Sequence, residues 1–368
     1  MGVGGAENLV SNILEFSDSS KFDMYVIELF ESNSFLVEKL KNKGFRIYSL
    51  ISNIQKTKNL SLIKKVILGI GIIRKIYKTF REIKPEIVHT HLSGLKYVIL
   101  PSLLCNVKAK VHTIHTLAEK DAAKPTRFFN MVGFKLFKFV PVSISNEIAD
   151  SVKKLYGDKI NTPVIYNGID IQKFSTNKND NKSKDKIILL NVGRLVKPKN
   201  QFLLIRAFNK AVQEFPNLEL WIVGDGELKQ ELEDLVKNLS LEEKVRFLGV
   251  RSDIPELLKV ADIFVMSSDY EGVPISLLEA LASGVPVIST AVGGVPEILE
   301  SGRAGILVTP KDEEELAQKI IELARDEKKR LEFSEYGKKL AKEKFDIRKT
   351  VEKYEKLYIS LLDRKNKK

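Results

Sequence analysis

Cysteine and long apolar runs are scarce in this chain of 368 residues. Its one cysteine, Cys105, excludes an internal disulfide and fits a reducing compartment. The longest apolar runs, residues 66–73 and 98–104, are too short to span a bilayer, and the second contains Pro101. The apolar fraction of 43% is that of a globular protein. We therefore expect a cytoplasmic location.

Acidic residues are scarce in the first half. Residues 1–170 carry 25 Lys/Arg and 15 Asp/Glu, whereas residues 171–368 carry 35 and 33, so the first half holds +10 of the net charge of +12. The sequence has no nucleic-acid recognition motif and no aromatic pattern typical of RNA binding. The charge therefore favours an anionic membrane surface or an anionic acceptor as partner, and not nucleic acid.

Two segments of the first half combine basic and apolar residues. Residues 56–84 contain nine Lys/Arg and one Glu among regularly spaced aliphatic residues, a pattern typical of a basic amphipathic helix. Residues 122–146 contain no acid and mix Lys/Arg with Phe. Helices with a core face and solvated lysines would explain part of both segments. We favour membrane contact by one of them, with peripheral attachment at the inner face of the plasma membrane.

Short apolar strands alternate with helices along the second half. This alternation predicts a parallel sheet with helices on both faces, which binds nucleotides at the carboxyl ends of its strands. The strands are expected at 186–192, 218–223, 245–248, 263–266, 285–290 and 305–308, and the helices at about 201–214, 227–239, 254–260, after Pro274 and from near Pro296.

The first half shows a similar but weaker α/β pattern. The segment 175–186 is polar and charged without an apolar residue, so it is predicted to link two domains. The strands of the first half are expected at 25–30, 46–50, 87–91, 110–115 and 139–143.

Two carboxylates, Glu271 and Glu279, stand on a loop and in the helix that follows it. This helix is predicted to begin after Pro274 and to end at Gly284. Three leucines supply the apolar face of the helix, so neither carboxylate is needed for packing. The pair suits the hydroxyls of a sugar and a ribose. Ordinary solvated glutamates are the alternative.

Arg194 and Lys199 follow a predicted strand and precede a predicted helix. Backbone N–H groups at a helix N-terminus favour anions, so two exposed cations there suit a pyrophosphate. A basic surface loop is the alternative.

Glycine turns follow two further predicted strands. Gly224 and Gly226 are weak indicators of a site, because any tight turn favours glycine. Gly293, Gly294 and Val295 precede a helix start, and their exposed N–H groups are expected to form an anion-binding nest.

All four histidines lie at the ends of two predicted strands. Without an acidic or cysteine ligand nearby in sequence, His89, His91, His112 and His115 are not expected to bind a metal. We expect His115 to contact a substrate, and His89 and His112 to have structural roles because strand alternation points them elsewhere.

These motifs, in this order, resemble the retaining glycosyltransferases of family 4. The resemblance covers nearly the whole chain and is most specific in the second half. The motifs that carry it are Gly4-Gly5-Ala-Glu7, Gly193-Arg194 with Lys199-Asn200, Gly224-Asp-Gly226, Glu271 with Glu279, and Gly293-Gly294-Val295-Pro-Glu297.

The resemblance implies a GT-B fold, in which two Rossmann-like α/β domains face a central cleft. Residues 1–172 would form the acceptor-binding domain and residues 173–345 the donor-binding domain. Residues 346–368 would hold a C-terminal helix that returns to the first domain.

The resemblance also implies a role for each motif residue. Arg194 and Lys199 would bind the donor diphosphate, Glu279 the ribose, and Glu271 the transferred sugar, which His115 would also contact. The backbone of the remaining motif positions would approach the donor; these positions are Gly4, Gly5, Gly193, Gly224, Gly226, Gly293, Gly294 and Val295.

The implied reaction moves a hexose-type sugar from a nucleotide-sugar, with UDP favoured, to a glycan or lipid-linked acceptor. It would retain anomeric configuration and need neither metal nor cofactor, and it would serve cell-surface polysaccharide synthesis. A nucleotide-sugar epimerase or hydrolase, or a non-catalytic partner subunit, is the alternative. Family members begin with a strand before the glycine loop, so we expect the natural product to begin upstream with roughly 5–10 mostly hydrophobic residues.

Overall fold

The computed structural model of the chain describes residues 5–31, 35–52, 61–121, 124–174 and 186–366. Backbone contacts divide the chain into two compact units. The first consists of residues 1–167 and 347–368, and the second of residues 168–346. Of the predicted linker, only Lys186 lies within the described residues.

The strands of both units pair in parallel. In the first unit β1 pairs with β2, and a second sheet has the order β3-β4-β5. The second unit holds a sheet with the order β11-β10-β9-β6-β7-β8. The strands are β1 (Tyr25–Glu28), β2 (Arg46–Ser49), β3 (Ile87–His91), β4 (Ala109–Ile114), β5 (Val140–Ser143), β6 (Ile187–Val192), β7 (Leu218–Val223), β8 (Val245–Gly249), β9 (Ile263–Met266), β10 (Val287–Thr290) and β11 (Ile306–Val308).

Helices connect these strands and continue beyond the last one. The first unit contains α1 to α7 and also α16, and the second contains α8 to α15. The helices are α1 (Gly5–Phe16), α2 (Phe35–Asn42), α3 (Leu62–Ile83), α4 (Leu95–Leu104), α5 (Ala118–Asp121), α6 (Lys124–Lys135), α7 (Asn146–Tyr156), α8 (Ile171–Phe174), α9 (Gln201–Glu214), α10 (Lys229–Asn238), α11 (Ile254–Val260), α12 (Ile275–Ser283), α13 (Val295–Ile298), α14 (Glu313–Arg325), α15 (Glu327–Lys344) and α16 (Ile347–Asn366).

The end of α12 shows why one predicted strand is shorter than expected. Gly284 adopts a φ of 68°, and the N–H of Val285 donates to the carbonyl of Ala280 at 2.9 Å. This arrangement closes the helix in a left-handed cap that glycine favours. The cap uses Val285, so β10 begins at Val287 rather than at the predicted position 285.

The two long helices α14 and α15 of the second unit were not predicted. Their start signals are nevertheless local. Asp312 and Asp326 cap the two helices by accepting the N–H of Glu315 and Lys329, each at 2.9 Å. An Asp before a helical period is the sequence pattern that could have located both.

The C-terminal helix α16 packs within the first unit. Tyr354 and Tyr358 are almost fully buried, and the Tyr354 hydroxyl lies 3.1 Å from the Thr113 hydroxyl of β4. The apolar core that α16 shares with α1, β4 and β5 consists of Leu9, Ile13, Val111, Val142, Ile165, Ile347, Val351, Tyr354 and Tyr358.

Candidate functional site

The predicted donor residues of the second unit lie at one edge of its sheet. Gly193 follows β6, Gly224 follows β7, Ser267 follows β9 and Ala291 follows β10. These four strands are neighbours in the order β10-β9-β6-β7. Because the strands are parallel, their carboxyl ends meet at the edge where open α/β sheets bind ligands.

Side-chain hydrogen bonds tie the loops at this edge together. The Thr290 hydroxyl donates to the carbonyl of Ser268 at 2.6 Å, and the Ser267 hydroxyl donates to the carbonyl of Asn200 at 2.9 Å. The Asn200 amide donates to Asp269 at 2.8 Å. Sequence reasoning missed these roles, because each bond joins residues from different loops.

Three of the predicted glycines are needed where loops approach each other closely. A β-carbon would clash with a carbonyl oxygen of a neighbouring loop at each position, so no other residue fits without a backbone shift. The distance from such a β-carbon to that oxygen would be 1.9 Å at Gly224, 2.2 Å at Gly226 and 1.8 Å at Gly293. Loop packing thus explains these glycines, and their contact with a donor stays a prediction.

In the loop after β10, two of the three amides predicted to bind an anion donate to backbone carbonyls instead. The N–H of Gly294 donates to the carbonyl of Gly272, and that of Val295 to the carbonyl of Val292, both at 3.1 Å. The prediction of exposed N–H groups is therefore wrong for Gly294 and Val295. Gly294 is engaged because this loop packs on the one after β9, and Val295 because the loop turns back on itself. The N–H of Gly293 has no partner among the described residues.

Lys199 and Glu271 form an ion pair at the centre of this edge. The Lys199 Nζ lies 2.5 Å from Glu271 Oε1, and the two side chains are 24% and 9% exposed. The Ser268 hydroxyl donates to the same oxygen at 2.6 Å. Glu271 Oε2 has no hydrogen-bond partner among the described residues, so it stays available as an acceptor.

The ion pair corrects one prediction about Lys199. The sequence predicted an exposed cation, but the stem of Lys199 packs over Gly193 and its ammonium group is held by Glu271. Arg194 is exposed, as predicted, and its side chain forms no ion pair with a described residue. The site thus presents one positioned cation and one solvated cation to an anion.

Glu279 lies on the second turn of α12, which begins at the same edge. The side chain is half-buried, and its carboxyl group makes no hydrogen bond or ion pair within the described parts of the chain. Burial raises its pKa to about 8. A partly buried carboxylate without donors is unfavourable, so this position favours a ligand that brings hydroxyl groups.

The histidines of the first unit divide into two groups. His89 lies 2.6 Å from the Tyr358 hydroxyl and His112 lies 2.9 Å from the Thr90 hydroxyl, so both hold neighbouring elements together. His115, after β4, is half-buried, and its Nε2 lies 3.1 Å from Nδ1 of His91. Burial lowers the pKa of His115 to about 4, so its ring is neutral near pH 7.

The glycine loop at the start of the chain is described only in part. Gly5 is the exposed first residue of α1, while Gly4 lies outside the described residues. The contacts predicted for Gly5 and His115 with a donor stay predictions. Within the described ranges, no three metal-ligating side chains cluster.

Comparison with protein families gives two matches that together span most of the chain. Residues 3–173 match the model described as Glycosyltransferase Family 4, and residues 172–340 match Glycosyl transferases group 1. An uncharacterized glycosyltransferase of Methanocaldococcus jannaschii is 30% identical over 334 residues, which cover 77% of this chain and 81% of that protein. The UDP-Gal:alpha-D-GlcNAc-diphosphoundecaprenol alpha-1,3-galactosyltransferase of Escherichia coli is 30% identical over 323 residues, which cover 83% and 82%.

Solved structures share the fold at low sequence identity. Anabaena HepE, crystallised with UDP and glucose, superposes with a TM-score of 0.80 at 20% identity, covering 98% of this chain and 97% of that one. A glycosyltransferase from Rickettsia africae superposes with a TM-score of 0.82 at 20% identity, covering 98% and 96%.

Two α/β units with these structural neighbours define the GT-B fold. The two family matches and the two relatives at 30% identity then identify the family. The chain belongs to glycosyltransferase family 4.

Proposed function

We propose that the protein transfers a hexose-type sugar from a UDP-sugar to a glycan or lipid-linked acceptor in cell-surface polysaccharide synthesis. The Lys199–Glu271 pair and the unpartnered Glu279 carboxyl, which belong to the same edge of the sheet, carry the proposal, because they suit a diphosphate, a sugar and a ribose. The Escherichia coli relative is named for UDP-Gal and a diphosphoundecaprenol acceptor, and HepE was crystallised with UDP. These names support the choice of donor base and acceptor class.

Charge on the leaving nucleoside diphosphate determines the roles of the cations. This charge grows as the bond between the anomeric carbon and the phosphate oxygen breaks. Lys199 is fixed by Glu271 before the substrate arrives, so it stabilises the charge without reorganising. Arg194 closes on the diphosphate from solvent.

The two carboxylates orient the donor. Glu271 gives one oxygen to Lys199 and Ser268 and keeps Oε2 for a hydroxyl of the transferred sugar. Glu279 accepts the ribose hydroxyls, which supply the donors that it lacks. Contact of His115 with the sugar belongs to the same proposal.

The reaction we propose retains configuration and needs no divalent ion. The acceptor hydroxyl attacks the anomeric carbon on the face that the diphosphate leaves, and its proton passes to the leaving phosphate oxygen. Glu271 is committed to Lys199 and is therefore a poor nucleophile for a covalent intermediate.

A donor screen by mass spectrometry tests the proposal. The purified protein is incubated with a panel of nucleotide-sugars and with diphosphoundecaprenol-linked sugars as acceptors. We expect a UDP-sugar to be consumed, with a glycosylated acceptor as product. Turnover without acceptor would support the epimerase or hydrolase, and UDP binding without transfer would support the non-catalytic subunit.

Variants test the residue roles in the same assay. Arg194→Ala and Lys199→Ala should each lower kcat/KM, by an amount that corresponds to a loss of about 2–4 kcal/mol of transition-state stabilisation. Lys197→Ala is a matched control, because this exposed lysine lies in the same loop without an ion pair to a described residue. Wild-type turnover in both test variants would refute the diphosphate assignment.

A further inference from the structure

The first two turns of α3 stand out from the body of the first unit. Every residue from Ser61 to Ile67 is exposed, and the buried residues of the helix begin only at Ile72. Five large aliphatic side chains between Leu62 and Ile70 are 46–79% exposed. They are Leu62, Ile63, Val66, Ile67 and Ile70.

These aliphatic residues form one continuous stripe. Their spacing of one, three, one and three residues keeps them on a single face of a helix. Lys64 and Lys65 lie beside the stripe and are exposed. The whole helix carries six Lys/Arg and only Glu82 as an acid, which lies near its far end. Exposing such a stripe to water is unfavourable. An interface with an apolar interior and an anionic surface would match both the stripe and the lysines beside it.

Packing with the neighbouring helix shows where the projecting turns lie. Gly69 of α3 approaches Tyr97 in the first turn of α4. Because residues 61–67 are exposed on all sides, they extend past the start of α4. The helix α4 connects the parallel strands β3 and β4, so its first turn lies at their carboxyl edge. His91 and His115 lie at this same edge.

A second helix exposes aromatic residues. The helix α6 precedes β5 in the parallel β4–β5 crossover and packs through Gly133 on Leu95 of α4. Its first half exposes Phe128 and Phe129, which are 57% and 39% accessible. Aromatic rings are favoured at the boundary between lipid headgroups and acyl chains.

We propose that the first two turns of α3, together with Phe128 and Phe129, insert into the surface of a bilayer rich in anionic phospholipid. Lysines beside the aliphatic stripe would meet headgroup phosphates while the aliphatic side chains enter the acyl boundary. Self-association through the same stripe would bring the basic residues of two identical helices together, and their repulsion disfavours it. This docking rests on the lipid-linked acceptor of the proposed function. It depends on the exposure and charge of α3 and not on donor chemistry.

Such docking would serve transfer to a lipid-linked acceptor. The inserted turns lie at the same edge of the first unit as His115. The headgroup of an acceptor anchored in the bilayer would then meet the protein at this edge. No helix in the described ranges has the length and apolar character to cross a bilayer.

Vesicle binding tests the insertion. The protein is mixed with vesicles of phosphatidylcholine alone, or with an equal part of phosphatidylglycerol, over a salt series. The test variant is Ile63→Gln/Val66→Gln/Ile67→Gln. Val250→Gln/Leu331→Gln is the matched control, because these side chains of the second unit are equally exposed. UDP binding, measured by calorimetry, should be unchanged in both variants, which separates this test from the proposed function.

We expect the triple variant to bind anionic vesicles at least about tenfold more weakly and to lose the binding that persists at high salt. The control should bind like the wild type. Lys64→Gln/Lys65→Gln should instead weaken binding at low salt and flatten the salt dependence. Equal binding of the triple variant and the wild type would overturn the proposal.

Fluorescence measures insertion directly. Leu62→Trp should show a blue shift with anionic vesicles and quenching by brominated lipids, while Val250→Trp should show neither. The native Trp221 gives a background that is the same in both. No shift in Leu62→Trp would overturn the proposal. The proposal would also be overturned if the wild type were a dimer in analytical ultracentrifugation and the triple variant a monomer. The stripe would then join two copies of the chain.

Discussion

Replacing Glu279 by glutamine separates the stability of the second unit from its donor affinity. The side chain is half-buried, lacks a partner among the described residues and has a pKa raised to about 8 from its ordinary 4.5. Glutamine has nearly the same shape and stays neutral at every pH. The variant therefore removes the ionisation of this group and little else.

The sign of the stability change follows from the raised pKa. Above pH 4.5 the unfolded chain loses this proton while the folded chain keeps it until about pH 8. Ionisation therefore favours unfolding, and wild-type stability falls across this window and then levels off. At pH 7 the upper limit is about 3 kcal/mol, which residual solvent contact reduces to about 1–2 kcal/mol. Glu279→Gln should recover this amount near pH 7 and almost none below pH 4.5.

Thermal unfolding without ligand measures the effect. For a unit of this size, the variant should melt roughly 2–8 °C above the wild type at neutral pH, with the gap closing at acidic pH. Glu335→Gln, at an exposed position in α15, is the control. A gap independent of pH, or a less stable variant at pH 8, would refute the reasoning.

Donor binding should change in the opposite direction. The ribose hydroxyls would stabilise the ionised carboxylate, so UDP binding to the wild type should release a proton and tighten as pH rises from 6 to 8. In Glu279→Gln, UDP should bind more weakly and with a flatter pH profile. Calorimetry in buffers of different ionisation enthalpy measures the proton release, and its absence in the wild type would contradict the ribose assignment.

Three further predictions concern stability and turnover. Lys199→Ala should lower stability by about 1–3 kcal/mol, because it leaves the buried Glu271 carboxylate without its cation. Adding Glu271→Gln should restore stability but not turnover. Equal melting temperatures of Lys199→Ala and Lys197→Ala would contradict this. Gly224→Ala should cost more stability than Gly249→Ala, since both have positive φ but only Gly224 meets a carbonyl oxygen, at 1.9 Å; equal melting temperatures would show that the loop yields. Turnover should survive EDTA, and a complete loss that Mg²⁺ reverses would refute the metal-independent mechanism.

Local chemistry made most elements of the second unit predictable. The limits predicted for α9, β7, α11 and β9 agree with the structure. Their starts and ends depend on apolar period, on prolines and on capping residues, all of which lie within a few positions in sequence. The same locality accounts for the correct end of α12 at Gly284.

The donor residues were predictable only by type and approximate place. Arg194, Lys199, Glu271 and Glu279 stand out because charged residues beside glycine turns at strand ends are typical of phosphate and hydroxyl recognition. Family 4 membership confirms the class of protein that these motifs indicated.

Tertiary structure alone decided how these groups are used. Lys199 contacts Glu271, 72 positions away in sequence, because β9 lies beside β6. The apolar pattern of a strand does not predict which strands lie beside it. The amides of Gly294 and Val295 are engaged because their loop folds onto itself and onto the loop of another strand. The sequence by itself thus determined the elements and the residue types at their ends, since both depend on near neighbours. Which side chains pair, which amides stay free and which turns of α3 remain uncovered depend on packing between distant segments.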